Sequence, residues 1–340
     1  MNFSDFELWR KRALVNDPSV LDCAETNLYR SLATLQPRPD ISNTDCPVHR
    51  CDLARAWLAR YGFPASNSRR ALVCRGVRHA LALIFKKLAL SNAIVWIPKD
   101  VYPIYLELAH AAGIEPRHFA SLPEPKIPAV QSNGGPEYLL VANPWKPLGR
   151  YLTEKECDAL INWLDASPHR HLIVDCVYDL STPFHATTQK LQKTGRMILL
   201  HSVTKGWLWP KTFGVTLIGD AYSQFESLFR DDSPSFDQLR LAHQLLSTET
   251  SCPNQVIAAL QNRKNQLLAA IPDSVRESLL LKPEHSSPGC YFFPVWIPAE
   301  ELLKHHNLLA LPGSTFGADW NGSILTSLAS VFAPIKNGST

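Results

Sequence analysis

Between Met197 and Asp220 an apolar, strand-like run leads into Ser202 and Lys205 and is followed by a second apolar run. A lysine presented at a strand end can be a desolvated amine, because burial and neighbouring cations lower its pKa and expose the nucleophilic form that carbonyl chemistry needs. Taken alone it reads as a surface lysine in a turn, since a motif this short recurs by chance. Its companions change that reading. Four other apolar runs end in Arg75-Gly76-Val77-Arg78, in Tyr102-Pro103, in Asn143 to Gly149, and in Asp175-Cys176-Val177-Tyr178. Together they offer an anion-binding helix start, an aromatic plate, an amide, a carboxylate with a phenol, and a lysine. A flat, phosphorylated, electron-accepting aldehyde would suit that set.

The elements that must position these residues follow a regular rhythm. Short apolar runs at Ala71–Cys74, Ala93–Ile97, Tyr138–Ala142, His171–Val174, Met197–His201 and Phe213–Ile218 alternate with helical patterns at Val77–Leu90, Ile104–Ala112 and Thr153–Ala166. Such alternation predicts a mostly parallel sheet covered by helices on both faces, with ligands beyond the carboxyl ends of the strands. Thr153-x-x-Glu156 is a capping box that fixes one helix start. Helical spacing also predicts helices near Asp5–Leu14 and Asp52–Tyr61. From about Ala221 longer helical stretches, Phe236–Leu246 and Asn254–Ala270, precede a separate α+β region with a strand at 289–293. The expected division is an amino-terminal arm or part of a small domain over 1–50, a large domain over 51–235 and a carboxyl-terminal small domain over 236–340.

Over roughly residues 50 to 330 the sequence resembles the fold-type I pyridoxal-phosphate enzymes, specifically the class I/II aminotransferase superfamily. The resemblance rests on Asn-Pro-x-x-Pro-x-Gly at 143–149, Asp-x-x-Tyr at 175–178 and Ser-x-Thr-Lys at 202–205, in the family's order. It implies a three-layer αβα large domain with a mostly parallel sheet, a smaller α+β domain, pyridoxal 5′-phosphate as cofactor, and a homodimer acting on an amine or amino acid. Lys205 would form the Schiff base and shuttle the proton, and Asp175 would pair with the pyridine nitrogen. Tyr178 and Asn143 would donate to the ring oxygen, and Tyr102 would stack on the ring. The N–H groups of Gly76, Val77 and Arg78, with the Ser202 hydroxyl, would hold the phosphate.

Three positions depart from the family pattern. Phe213 stands where an arginine usually grips the phosphate, leaving Lys211 as the nearest cation; Lys146 replaces the second asparagine of Asn-Pro-x-Asn-Pro. Leu325 occupies the place of the arginine that binds a substrate carboxylate. Transamination is the default reaction. Elimination, cyclisation, oxidation and decarboxylation in a specialised biosynthetic pathway stay open, as does a non-catalytic relative that binds the cofactor.

Composition excludes several other classes. The chain has 340 residues, 45% of them hydrophobic, and its 34 basic and 31 acidic residues are spread without a basic stripe. Nucleic acid is therefore not implied. No run reaches membrane-spanning length and the first turns have no apolar signal core, so a soluble cytoplasmic protein is expected. The eight cysteines show no metal-binding spacing, and no metal site is expected.

Overall fold

Strands buried on both faces need near-continuous apolar sequence, and the runs at 138–142, 171–174 and 197–201 provide it. The structure, a computed structural model, describes residues 3–37, 48–129, 135–209, 213–230, 233–247, 252–317 and 320–332. In chain order it begins with α1 (Phe3–Asn16), β1 (Leu21–Cys23), α2 (Leu28–Ser31), α3 (Arg50–Tyr61), β2 (Ala71–Cys74) and α4 (Val77–Leu90). Next come β3 (Ile94–Pro98), α5 (Ile104–Ala111), β4 (Arg117–Phe119), β5 (Glu137–Ala142), α6 (Glu154–Asp165), β6 (Arg170–Asp175), α7 (Ala186–Gln192), β7 (Met197–Ser202) and β8 (Gly214–Ile218). The remainder is α8 (Phe236–Ser247), α9 (Cys252–Ala270), α10 (Asp273–Glu277), β9 (Phe292–Val295), α11 (Ala299–His306), β10 (Leu308–Pro312) and β11 (Ser323–Thr326).

A seven-stranded sheet has the order β2-β8-β7-β6-β5-β3-β4, and only β8 runs against its neighbours. Alternate residues of its strands enter two cores. Leu140, Ile173, Ile198 and Leu200 pack with Leu81, Ile84 and Phe85 of α4 on one face. Leu139, Val141, Leu172, Val174 and Leu199 pack with Trp57 and Leu58 of α3, Leu160 and Leu164 of α6, and Leu245 of α8 on the other. The result is the expected helix–sheet–helix sandwich. The capping box closes as predicted, with Thr153 Oγ1 accepting from Glu156 N–H and Glu156 accepting from Thr153 N–H.

A second sheet, β1-β10-β11-β9, lies in the carboxyl-terminal part. Its edge strand β1 comes from the amino-terminal segment and pairs in parallel with β10, Leu21 opposite Leu308. Arg10 of α1 anchors that strand through Asp22 and Glu25. The strand expected at 289–293 begins instead at Phe292. Cys290 N–H closes a turn on the Ser287 carbonyl, and Ser287 N–H donates to Gly149 O at 2.7 Å, so 287–291 reaches toward the large sheet rather than pairing in the small one. No described helix is long and apolar enough to cross a membrane.

Candidate active site

Because β8 is antiparallel to both β2 and β7, strands β2, β3, β5, β6 and β7 all point the same way. Their carboxyl ends therefore share one edge, where a doubly covered sheet binds ligands. Register sets the levels there: Ala142 lies opposite Asp175, Asp175 opposite Leu200, and Gly214 opposite both Ser202 and Cys74.

The last pairing brings the start of α4 beside the end of β7. Gly76, the N-cap, has φ 147° and ψ 166°, a conformation that side chains disfavour, and the space where its Cβ would stand is open. A Cβ on Gly214 would lie 3.0 Å from the Gly76 Cα and carbonyl carbon. The two glycines thus let a helix start approach the strand end with its first N–H groups unpaired within the helix. Gly214→Ala is expected to displace that start and to cost roughly 1–3 kcal/mol of stability, the range for overpacking a filled site. Denaturant unfolding checks it; wild-type stability would contradict this close approach.

Around the loop the aromatic and charged groups converge. Arg78 Nη2 donates to Tyr102 Oη at 2.8 Å, with its guanidinium carbon 5.6 Å from the ring centroid. The Asp175 carboxylate accepts from Val177 N–H at 2.9 Å on one oxygen and from the buried Tyr105 hydroxyl on the other. Burial, then Asp175, pushes the Tyr105 phenol well above its usual pKa, so it remains a donor. Tyr178 Oη shares a 2.9 Å hydrogen bond with Tyr291 Oη. Two lysines face the Tyr178 ring, Lys146 Nζ at 3.0 Å and Lys205 Nζ at 5.3 Å from its centroid, and Lys205 also lies 4.9 Å from the Tyr29 ring.

Residues 24–330 match the family model for aminotransferase class I and II. The chain belongs to the class I and II aminotransferases. Solved structures of similar fold include tyrosine aminotransferase from Leishmania infantum, 17% identical over 92% of this chain and 88% of that one, with a TM-score of 0.70. A double mutant of Thermus thermophilus aspartate aminotransferase is 14% identical over 96% and 92%, with a TM-score of 0.71. At such identities the likeness speaks for the fold. No curated protein matches the sequence significantly.

Membership makes the chain a pyridoxal-phosphate-dependent transferase, and the donor set at this edge fits that cofactor in most parts. There is a helix start with open space at its N-cap, a carboxylate for a ring nitrogen, a lysine, and the Tyr102, Tyr178 and Tyr29 rings. Other parts of the expected set are placed differently. Asn143 is fully buried; its amide donates to Thr187 Oγ1 at 3.1 Å and Thr188 Oγ1 at 2.9 Å, and its oxygen accepts from Leu152 N–H at 3.0 Å. It braces the loop after β5 against α7. Ser202 Oγ, expected on the phosphate, sits within 3.0 Å of the Phe213 carbonyl and 2.9 Å of Thr204 Oγ1. Phe213 is itself fully buried, so nothing at that position grips a phosphate. Lys211 lies outside the described residues.

Leu325 also needs correction. On β11 it pairs with Phe293 and joins the core of the small sheet with Val295, Leu267 and Leu302. Ile324 takes the opposite face with Leu311. An arginine at 325 would place a charge among those apolar side chains instead of restoring a carboxylate anchor. Leu325→Arg is expected to destabilise the protein by several kcal/mol in denaturant unfolding; wild-type stability would contradict this placement. Tyr29, Tyr105 and Tyr291 were not singled out from sequence. Tyr105, three residues after Tyr102 near a helix start, carried the one usable signal.

Proposed function

We propose that the protein is a pyridoxal-phosphate-dependent enzyme acting on an amine or amino acid, with Lys205 as the lysine that holds the cofactor and transamination as its reaction. The observation that carries this reading is the placement of Lys205 and Asp175 at the ends of the adjacent strands β7 and β6, with the Tyr178 ring 5.3 Å from the lysine amine. When bound, the cofactor supplies an electron sink for the pair of electrons left on the substrate carbon.

The chain's own groups supply the rest. The N–H groups at the start of α4 receive the phosphate, because a helix start has unpaired donors and a favourable dipole. The Asp175 carboxylate holds a proton on the ring nitrogen while Tyr105 and Val177 keep the carboxylate in place. Tyr102, oriented by Arg78, covers one ring face. Lys205 Nζ would take a proton from the substrate carbon and deliver it to the cofactor carbon on the far side of the shared nitrogen, as general base and then acid. Tyr29, Tyr178 and Tyr291 keep water from the reacting atoms. Mass analysis of the cofactor released after incubation with a panel of amines and amino acids tests the reaction type. Recovery in the aminated form supports transamination, whereas an unchanged cofactor with a consumed substrate favours elimination or decarboxylation. The assembly we propose is a homodimer, in keeping with the family and with the exposed Leu8, Trp9 and Val15 of α1; a fully active monomer by light scattering would contradict it.

A further inference from the structure

A substrate acidic group needs a cation in this site, and Leu325, packed in the core of the small sheet, offers none. The cations near the strand ends include Arg75, Arg78, Lys99, Lys146 and Arg150, and Arg75 and Lys99 already have partners. Arg150 is held by Glu156 through two hydrogen bonds of 2.7 and 2.6 Å and by the Tyr151 carbonyl, so its charge is already paired with a carboxylate. Arg78 is held on Tyr102 at the start of α4. Lys146 differs from both. It is only partly exposed, its Nζ rests 3.0 Å from the Tyr178 ring centroid and 5.9 Å from that of Phe292, and no carboxylate lies within salt-bridge distance of it among the described residues. The groups that act on it are Asp175, Lys205, Arg78 and the buried Cys290 thiol.

We infer that Lys146 receives the substrate's carboxylate, making it the specificity-determining residue of the site. The inference rests on the reading of Lys205 given above. In that reading Asp175 serves the ring nitrogen, the α4 start with Arg78 serves the phosphate end, and Lys205 serves the cofactor and substrate amine. Lys146 is the cation left over. Both lysine amines lie against the Tyr178 ring, at 3.0 and 5.3 Å from its centroid, so a single ring relates the amine that would meet the substrate nitrogen to a second cation. A half-buried amine without a counter-ion is disfavoured as a cation, and an incoming carboxylate relieves that cost. Burial, opposed by Asp175 and reinforced by Lys205 and Arg78, pulls the Lys146 pKa well below the ordinary lysine value. Binding of a carboxylate beside it would raise that pKa again.

The test compares two carbonyl reagents on the holoenzyme: aminooxyacetate, which carries a carboxylate, and O-methylhydroxylamine, which does not. Each displaces Lys205 from the cofactor, followed by absorbance. Wild type is expected to favour aminooxyacetate by about ten- to hundredfold, the range of one charge-assisted bond. In Lys146→Met that ratio should collapse toward unity, and in Lys146→Arg it should persist. Taking a ratio cancels changes common to both reagents. A wild type without preference, or a Lys146→Met ratio equal to wild type, overturns the inference. If neither reagent reacts with wild type, the Lys205 reading fails first and the inference falls with it. Should Lys146→Met not fold, Lys146→Gln, which removes the charge and keeps a polar end, is read for the same ratio, and a ratio equal to wild type overturns the inference.

Discussion

Lys205→Met is expected to abolish turnover while leaving the fold and the phosphate hold in place. The side chain is partly buried against the Tyr29 and Tyr178 rings, 4.9 and 5.3 Å from its amine, and methionine preserves the length and apolar body of that contact. What disappears is the nucleophile and the proton carrier together. Proton transfer by a positioned side chain is worth roughly 10²–10⁴-fold by itself, so the loss should be at least that large. Consumption of the best amine donor, measured with saturating cofactor, provides the check. Activity within tenfold of wild type would mean that another group does this work.

Asp175→Asn should give the second largest loss. Its two oxygens accept from Tyr105 and Val177, and each keeps a free lone pair for a protonated ring nitrogen. An asparagine keeps the shape but offers a donor where an acceptor is needed, and it no longer favours the charged ring. A hydrogen bond to a charged group contributes ~1.5–3 kcal/mol, which corresponds to roughly ten- to hundredfold in rate. Tyr105→Phe removes only one brace of the carboxylate and should cost less. If Asp175→Asn turns over at the wild-type rate, or if Tyr105→Phe is the more damaging change, the electron-sink assignment is wrong.

The layout of the large sheet was legible because its strands are buried on both faces and its helices carry strong start signals. The strand Ala71–Cys74 and the helix Val77–Leu90 stand where the periodicity put them. Strands of three residues were not legible: β1 and β4 are too short for alternation to register, and β1 exists only through its pairing with β10. The site was legible at the level of strand ends, because a motif places a residue on the backbone. It does not say where the side chain turns. Asn143 stands in the family's motif, yet its amide is taken up by Thr187 and Thr188 of a helix that no pattern announced. Leu325 occupies the family's arginine position, yet a four-residue strand offers two faces, and only pairing with Phe293 shows which one it takes. Lys146 was visible as a departure from the family's asparagine. Its position on the Tyr178 ring was not.

The central claim is that Lys205 is the residue joined to the cofactor. Borohydride reduction of the purified holoenzyme, followed by peptide mapping, tests it most directly. The account predicts one labelled peptide, with pyridoxyl mass on Lys205 and none on Lys146 although both amines face the same ring. A label on Lys146 or on any other lysine, or no label in protein that carries the cofactor, would contradict it.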